Sequence, residues 1–233
     1  MKKISAIICA YNEASTIKDV VATVSDYFFD EVIVVNDGST DKTDSILKGI
    51  NGLYNFKYIF LSENKGKGFA MATGIENTSS EIIVFIDADL TNLQEEHFVQ
   101  LITPVLSKEA DMVLGQATAT LINYGVNPFK SLTGERALLK KDILPIVDKM
   151  KHSRFGVETL INLYYQSTGK TVKYVMLKGL VHPTKFQKTS VIKASKQFVS
   201  EGREIAITAF NNYDLMIKSI RNLIIGQKNE SKN

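Results

Sequence analysis

Two aspartates flank a single alanine at Asp87-Ala88-Asp89, directly after the apolar run 81–86. Carboxylates at i and i+2 on a strand end can share one hard divalent cation, directly or through water. A cation held this way also takes phosphate oxygens of a substrate. The plainer alternative for such a pair is a turn or helix-cap device. Three more polar loops follow apolar runs: Tyr11-Asn12-Glu13, Asn36-Asp37-Gly38-Ser39-Thr40-Asp41 and Asn64-Lys65-Gly66-Lys67-Gly68. Ser39 or Thr40 reads as a helix cap. Of the three histidines, His97 reads as an inert residue on a helix surface and His152 lies in a basic loop without a clear partner. His182 precedes Pro183, which pushes it toward an extended conformation at the end of a strand. Cys9 reads as a small buried hydrophobe.

The elements that must position these loops are legible from periodicity. Apolar runs at 4–10, 31–35, 56–61, 81–86 and 111–115 are rich in Ile and Val and barely alternate, the pattern of parallel strands covered on both faces. Helix-like segments fill 14–28, 41–50, 68–77 and 92–106; Ile17, Val20, Val21 and Val24 give the first an apolar stripe. Strands alternating with helices predict an α/β sheet with right-handed crossovers. Ligands of such sheets collect beyond the carboxyl ends of the strands, where all four polar loops fall. Beyond residue 116 the rhythm loosens. Residues 117–135 read as a loop or lid, 136–150 and 154–166 as helical, 171–177 as a strand, and 191–226 as helices before a polar tail. The organisation expected is a first half over 1–115, a second half of the same domain over 116–190, and a C-terminal helical segment with its tail over 191–233.

Composition narrows the classes. The 233 residues are 44% hydrophobic and 23% charged, which suits a globular chain with a sizeable core. A net charge of +3 is too small to indicate a nucleic-acid partner. One cysteine excludes an internal disulfide framework and a cysteine-based zinc site. The basic start and short apolar run read as a first strand and not a leader, no run of 18 apolar residues could span a membrane, and a cytoplasmic location is the expectation. The 185–225 stretch mixes Lys and Arg with apolar residues. Such a segment can lie on an anionic membrane surface at the inner face, pack on the sheet, or form a homodimer seam.

With these residues in view, the chain resembles family 2 glycosyltransferases and their relatives with the GT-A fold, a three-layer α/β sandwich around a mostly parallel sheet. The matching stretches are residues 6–13, 32–41, 64–68 and 86–89, in order and in spacing. The likeness covers 1–115, continues to about 183 and then fades. Cys9 stands where such sequences commonly carry proline. The resemblance implies a sugar moved from a UDP-sugar to a hydroxyl, phosphate or lipid-linked acceptor, with Mg or Mn as cofactor. It implies a donor site made by Ala10, Tyr11, Glu13, Asp37, Lys67, Asp87 and Ala88: Tyr11 stacks on the base, Glu13 accepts from ribose hydroxyls, Asp37 accepts from the uracil N–H, and Lys67 lies near the ribose or pyrophosphate. Asp87 reaches the ribose or metal and Asp89 binds the metal.

The setting of His182, the Asp-Ala-Asp motif and Gly156-Val157-Glu158 also resemble glucosyl-3-phosphoglycerate synthases, which implies glucose as the sugar and His182 as a third metal ligand beside Asp87 and Asp89. Glu158 is implied as an acceptor-binding residue or general base, and its plain alternative is a helix N-terminal acid. Thr133-Gly134-Glu135-Arg136 resembles an acceptor-side loop, which makes Glu135 the rival base; Arg136 serves as a cap or phosphate contact. The family's likeness favours inversion, that of the synthases retention. Leu90-Thr91-Asn92 departs from the glutamine-containing version of polyprenyl-phosphate mannose synthases. A membrane-surface polyprenyl-phosphate sugar synthase and a catalytically silent nucleotide-sugar-binding protein are the alternatives. A nucleotidylyltransferase or a dinucleotide-dependent dehydrogenase would need a glycine-rich loop after the first run, and Tyr11-Asn12-Glu13-Ala14 supplies none.

Overall fold

The computed structural model describes residues 2–117, 133–181, 203, 206–208 and 210–230. Strands β1 (Ile4–Ala10), β2 (Glu31–Asn36), β3 (Lys57–Phe60) and β4 (Ile82–Asp87) run parallel, joined through helices α1 (Ile17–Ser25), α2 (Thr43–Ile50) and α3 (Lys67–Glu76). Then follow α4 (Glu95–Leu106), β5 (Met112–Ala117), β6 (Arg136–Leu139), the short helices α5 (Lys140–Ile143) and α6 (Val147–Lys151), α7 (Val157–Ser167), β7 (Val172–Leu177) and α8 (Tyr213–Glu230). One sheet holds seven strands in the order β3-β2-β1-β4-β6-β5-β7. β6 is antiparallel to both neighbours, and β5 pairs parallel with β7.

The sandwich follows from the strand side chains. Ala6, Ile8, Val32, Val34, Ile82, Val84 and Ile86 bury one face against α1, α2 and α4. Ile7, Ile33, Val35, Ile83 and Phe85 bury the other, where α3, α6 and α7 pack. Alternate residues therefore enter different cores and both are apolar, which is why the runs barely alternate. α8 packs on the end of α7: Ser219 donates to Gln166 Oε1 at 2.7 Å, and Asn222 Nδ2 donates to the Gln166 and Ser167 carbonyls at 3.0 and 3.1 Å. No helix among the described residues is long and apolar enough to cross a membrane.

Three local expectations are corrected. Residues 136–139 form a strand and not the start of a helix. Arg-Ala-Leu-Leu has good helix propensity, but antiparallel pairing with β4 and β5 at the middle of the sheet overrides that weak preference. Ser39 and Thr40 do not cap α2. Lys42 stands at its N-cap, and the two side chains turn toward Asn12 instead. His97 is not on a surface: it is 2% exposed at the first turn of α4. Most of the 117–135 lid lies outside the described residues, as does His182.

Candidate active site

The carboxyl ends of β1 and β2 carry two loops that brace each other. Asn12, in the left-handed region at φ 58°, receives the Thr40 N–H on Oδ1 at 2.8 Å, and its own N–H donates to Ser39 Oγ at 3.0 Å. The Glu13 and Ala14 N–H groups donate to Thr43 Oγ1 and Asp41 Oδ2. This bracing presents Tyr11 half-exposed at the rim, able to stack on a flat ring, with Glu13 beside it. Ala10 and Ala88 are buried, and their carbonyls accept from the Asp37 N–H and the Thr16 hydroxyl at 2.8 Å each. They shape the floor of the site without presenting a side chain.

Asp37 is 3% exposed at the end of β2. Its oxygens accept from the Lys65 and Gly66 N–H groups, both at 2.8 Å, which folds the 64–66 loop over it. Burial pushes its pKa up, and these N–H groups with the Arg154 charge pull back without cancelling the rise. Gly38 permits the approach: a Cβ there would lie 2.3 Å from the Glu63 carbonyl carbon. Each carboxylate oxygen keeps a second acceptor position, so a further donor such as an imide N–H is chemically compatible.

The densest charge lies at the end of β4. Lys67, on the first turn of α3, donates to Asp87 Oδ1 at 2.8 Å and to Glu158 Oε1 at 2.7 Å, joining residues 91 apart in sequence. Glu135 and Arg136 are fully buried beside them. Arg136 donates to the Thr133 carbonyl and to Asn162 Oδ1 at 3.5 Å, so it serves the protein's interior. The Thr133 hydroxyl lies 2.7 Å from Glu135 Oε2. Gly134 backs onto the Asp87 carboxylate so tightly that a Cβ would fall 2.0 Å from Oδ2. Burial lifts the Asp87 carboxyl to about 6; Lys67 opposes this, while Glu135, Glu158 and Asp89 add to it. Burial also acts to raise Glu158, but Lys67 and Arg136 outweigh it and hold this carboxylate below its ordinary value. Lys67 stays well above its ordinary value because its two carboxylates overcome the cost of burial.

Among the described residues, the mutually interacting groups include the carboxylates Asp87, Asp89, Glu135 and Glu158 and the cations Lys67 and Arg136. Hard carboxylate oxygens gathered this way suit a divalent cation. Among the described residues, no three His, Cys, Asp or Glu side chains are grouped to hold a metal ion by themselves. The fit is therefore to Mg or Mn, which one or two carboxylates hold together with water and substrate phosphate. The chain approaches this place again through residues 178–181. Thr91 and Val181 exchange backbone hydrogen bonds at 2.9 and 3.2 Å, and Asn92 Nδ2 donates to the Gly179 carbonyl at 2.8 Å. His182 follows Val181 directly in the sequence.

Sequence reasoning passed over Gly134 and the burial of Arg136 and His97. A glycine between Thr133 and Glu135, beside predicted site residues, was the available signal for the first.

Comparison with known proteins gives the lineage. Poly-beta-1,6-N-acetyl-D-glucosamine synthase of Staphylococcus epidermidis is 36% identical over 88 residues, covering 37% of this chain and 21% of the relative. The synthase of Staphylococcus aureus is 33% identical over 91 residues, covering 38% and 22%. The matched stretch is thus about a fifth of these relatives' length. Among solved structures, glucosyl-3-phosphoglycerate synthase from Mycobacterium tuberculosis in complex with Mn2+, uridine diphosphate and glucosyl-3-phosphoglycerate superposes with a TM-score of 0.70 at 20% identity, covering 90% of this chain and 79% of that one. Its complex with Mg2+ and uridine diphosphate gives 0.69 at 21%, covering 90% and 79%. At such identity the likeness concerns the GT-A fold. The family model described as glycosyl transferase family 2 matches residues 5–175. The chain belongs to glycosyl transferase family 2.

Proposed function

We propose that this protein transfers a sugar, glucose in the first instance, from a UDP-sugar to an acceptor oxygen with Mg or Mn as cofactor. The observation that carries the reading is the gathering, among the described residues, of the carboxylates Asp87, Asp89, Glu135 and Glu158 around Lys67 and Arg136 at the end of β4. Carboxylates brought this close in a partly buried site raise one another's pKa, and a bound divalent cation relieves that repulsion. Asp89 and Asp87 would hold that cation, with His182 as the further ligand; when bound it supplies Lewis-acid neutralisation of the departing diphosphate. Tyr11 stacks on the base, Glu13 accepts from the ribose, and Asp37 accepts from the uracil N–H. Lys67 gives two of its three ammonium N–H donors to carboxylates, and the third can turn to a donor oxygen.

In the transfer, the acceptor oxygen bonds to the anomeric carbon, the bond from that carbon to the diphosphate breaks, and UDP leaves with the electron pair. The acceptor's proton needs a destination. Glu158 is ionised but paired with Lys67, and Glu135 is engaged by Thr133. An inverting route takes that proton on one of these carboxylates, whereas a retaining route can pass it to the leaving diphosphate. The resemblance to glucosyl-3-phosphoglycerate synthases supports retention, and the anomeric proton coupling of the product tests it.

N-acetylglucosamine is the second reading for the sugar, favoured by the local identity to the staphylococcal synthases. A thermal-shift panel decides: UDP-glucose, UDP-N-acetylglucosamine and GDP-mannose, each with Mn, Mg or chelator. Stabilisation that needs both uridine diphosphate and metal is expected. Equal stabilisation in chelator, or by none of the donors, would overturn the proposal.

A further inference from the structure

His97 is buried on the first turn of α4, eight residues beyond Asp89, and both ring nitrogens are engaged. Nδ1 accepts from the Gln94 N–H at 3.1 Å, which leaves the ring's proton on Nε2. Nε2 lies 2.9 Å from the Lys178 carbonyl and donates to it, across 81 residues of sequence. A histidine serving only to begin a helix would need the first of these bonds and not the second. The second reaches the same turn that Thr91 and Asn92 grip through Val181 and Gly179. Three residues downstream of the Asp-Ala-Asp motif thus hold one four-residue stretch, 178–181, and the next residue along the chain is His182.

The geometry points to His97 as a positioning residue. Its Nε2–H seats the 178–181 turn against Thr91 and Asn92, and through that seating sets the affinity of the site for its divalent cation. The link to the cation rests on the reading under Proposed function; the seating itself does not. The two bonds of the ring can be separated by substitution. In His97→Asn, Oδ1 stands where Nδ1 stood and keeps the bond from Gln94, but nothing reaches Lys178. In His97→Gln, the longer amide reaches Lys178 with an N–H and gives up the helix cap.

Hydrogen exchange on the metal-free, full-length chain reads the seating directly. For His97→Asn, the Thr91 and Val181 amides should exchange at least tenfold faster than in the parent, with little loss of melting temperature. His97→Gln should retain their protection while melting lower. Manganese titration in the presence of UDP should then show an apparent affinity at least tenfold weaker in His97→Asn, close to parental in His97→Gln, and kcat at saturating metal nearly unchanged in both. Unchanged exchange or unchanged manganese affinity in His97→Asn overturns the inference. So does His97→Gln behaving like His97→Asn, because that is a purely structural role. If the parent chain itself shows no manganese binding with UDP, the functional reading fails instead, and the exchange data alone decide the seating.

Discussion

Asp37 and Asp87 stand at the carboxyl ends of β2 and β4, the two parallel strands that flank β1; Asp37 is buried and Asp87 partly so, and burial raises the pKa of both. They answer that cost differently. Asp37 is met by two backbone N–H groups of the 64–66 loop. These donors are part of the fold and cannot leave without unfolding the loop. Asp87 is met by one flexible side chain, Lys67, which is shared with Glu158, while three other carboxylates bear on it. Backbone donors make a permanent structural anchor. A lysine shared between carboxylates makes a balance that a ligand can alter.

The largest effect expected from this contrast is on turnover. Asp89→Ala should lower sugar transfer from UDP-sugar by about a hundredfold or more, the loss of one electrostatic contact of about 2.7–4 kcal/mol, while circular dichroism stays parental. Near-normal transfer by the folded variant would remove the cation from the mechanism. Asp37→Ala should act the other way round. Leaving the buried Gly66 N–H without an acceptor costs about 1–3 kcal/mol, and the part-buried Lys65 N–H adds less. At about 2–4 °C per kcal/mol for a chain of this size, the melting temperature falls by several degrees before any ligand is added. A variant that melts like the parent would refute the anchor.

Lys67→Met sharpens the comparison. It strips Asp87 and Glu158 of their shared cation, so the metal-free variant should melt below the parent and gain more from Mn than the parent does. An equal gain in both proteins would show that the lysine and the metal do not answer the same charge. The smallest effect is a slope with pH. Asp87 titrates near 6 in the fold and near 3.8 when unfolded, so between these values the folded chain binds the extra proton. The Asp87 contribution to stability is therefore fully present below about pH 4 and is lost as pH rises through about 6. In metal-free protein, Asp87→Asn should flatten the melting curve over that window relative to the parent; parallel curves would contradict the raised carboxyl.

Much of this contrast was legible in the sequence. The strand-loop-helix rhythm of the first half located Asp37, Lys67 and Asp87 at one edge of the sheet. Parallel strands with two covered faces have a composition that survives without tertiary knowledge. What each carboxylate does there was not legible. Asp37 depends on Lys65 and Gly66 returning over it, and Lys67 on Glu158, 91 residues away, standing on another helix. β6 was missed because its pairing partners lie far off in sequence and its own residues favour helix. His97 was misread because first-turn helix residues are commonly exposed, and nothing local announces that β7 delivers a carbonyl to it.

The order of apolar runs and polar loops determined by itself that this chain would build an α/β sandwich with its chemistry at the carboxyl edge, because strand burial and loop polarity are encoded in short windows. Which charges meet, which carboxylate is an anchor and which is poised, and where the 178–181 turn comes to rest were decided only by the folded chain. Those are distances of about 3 Å between residues tens of positions apart, and no local pattern carries them.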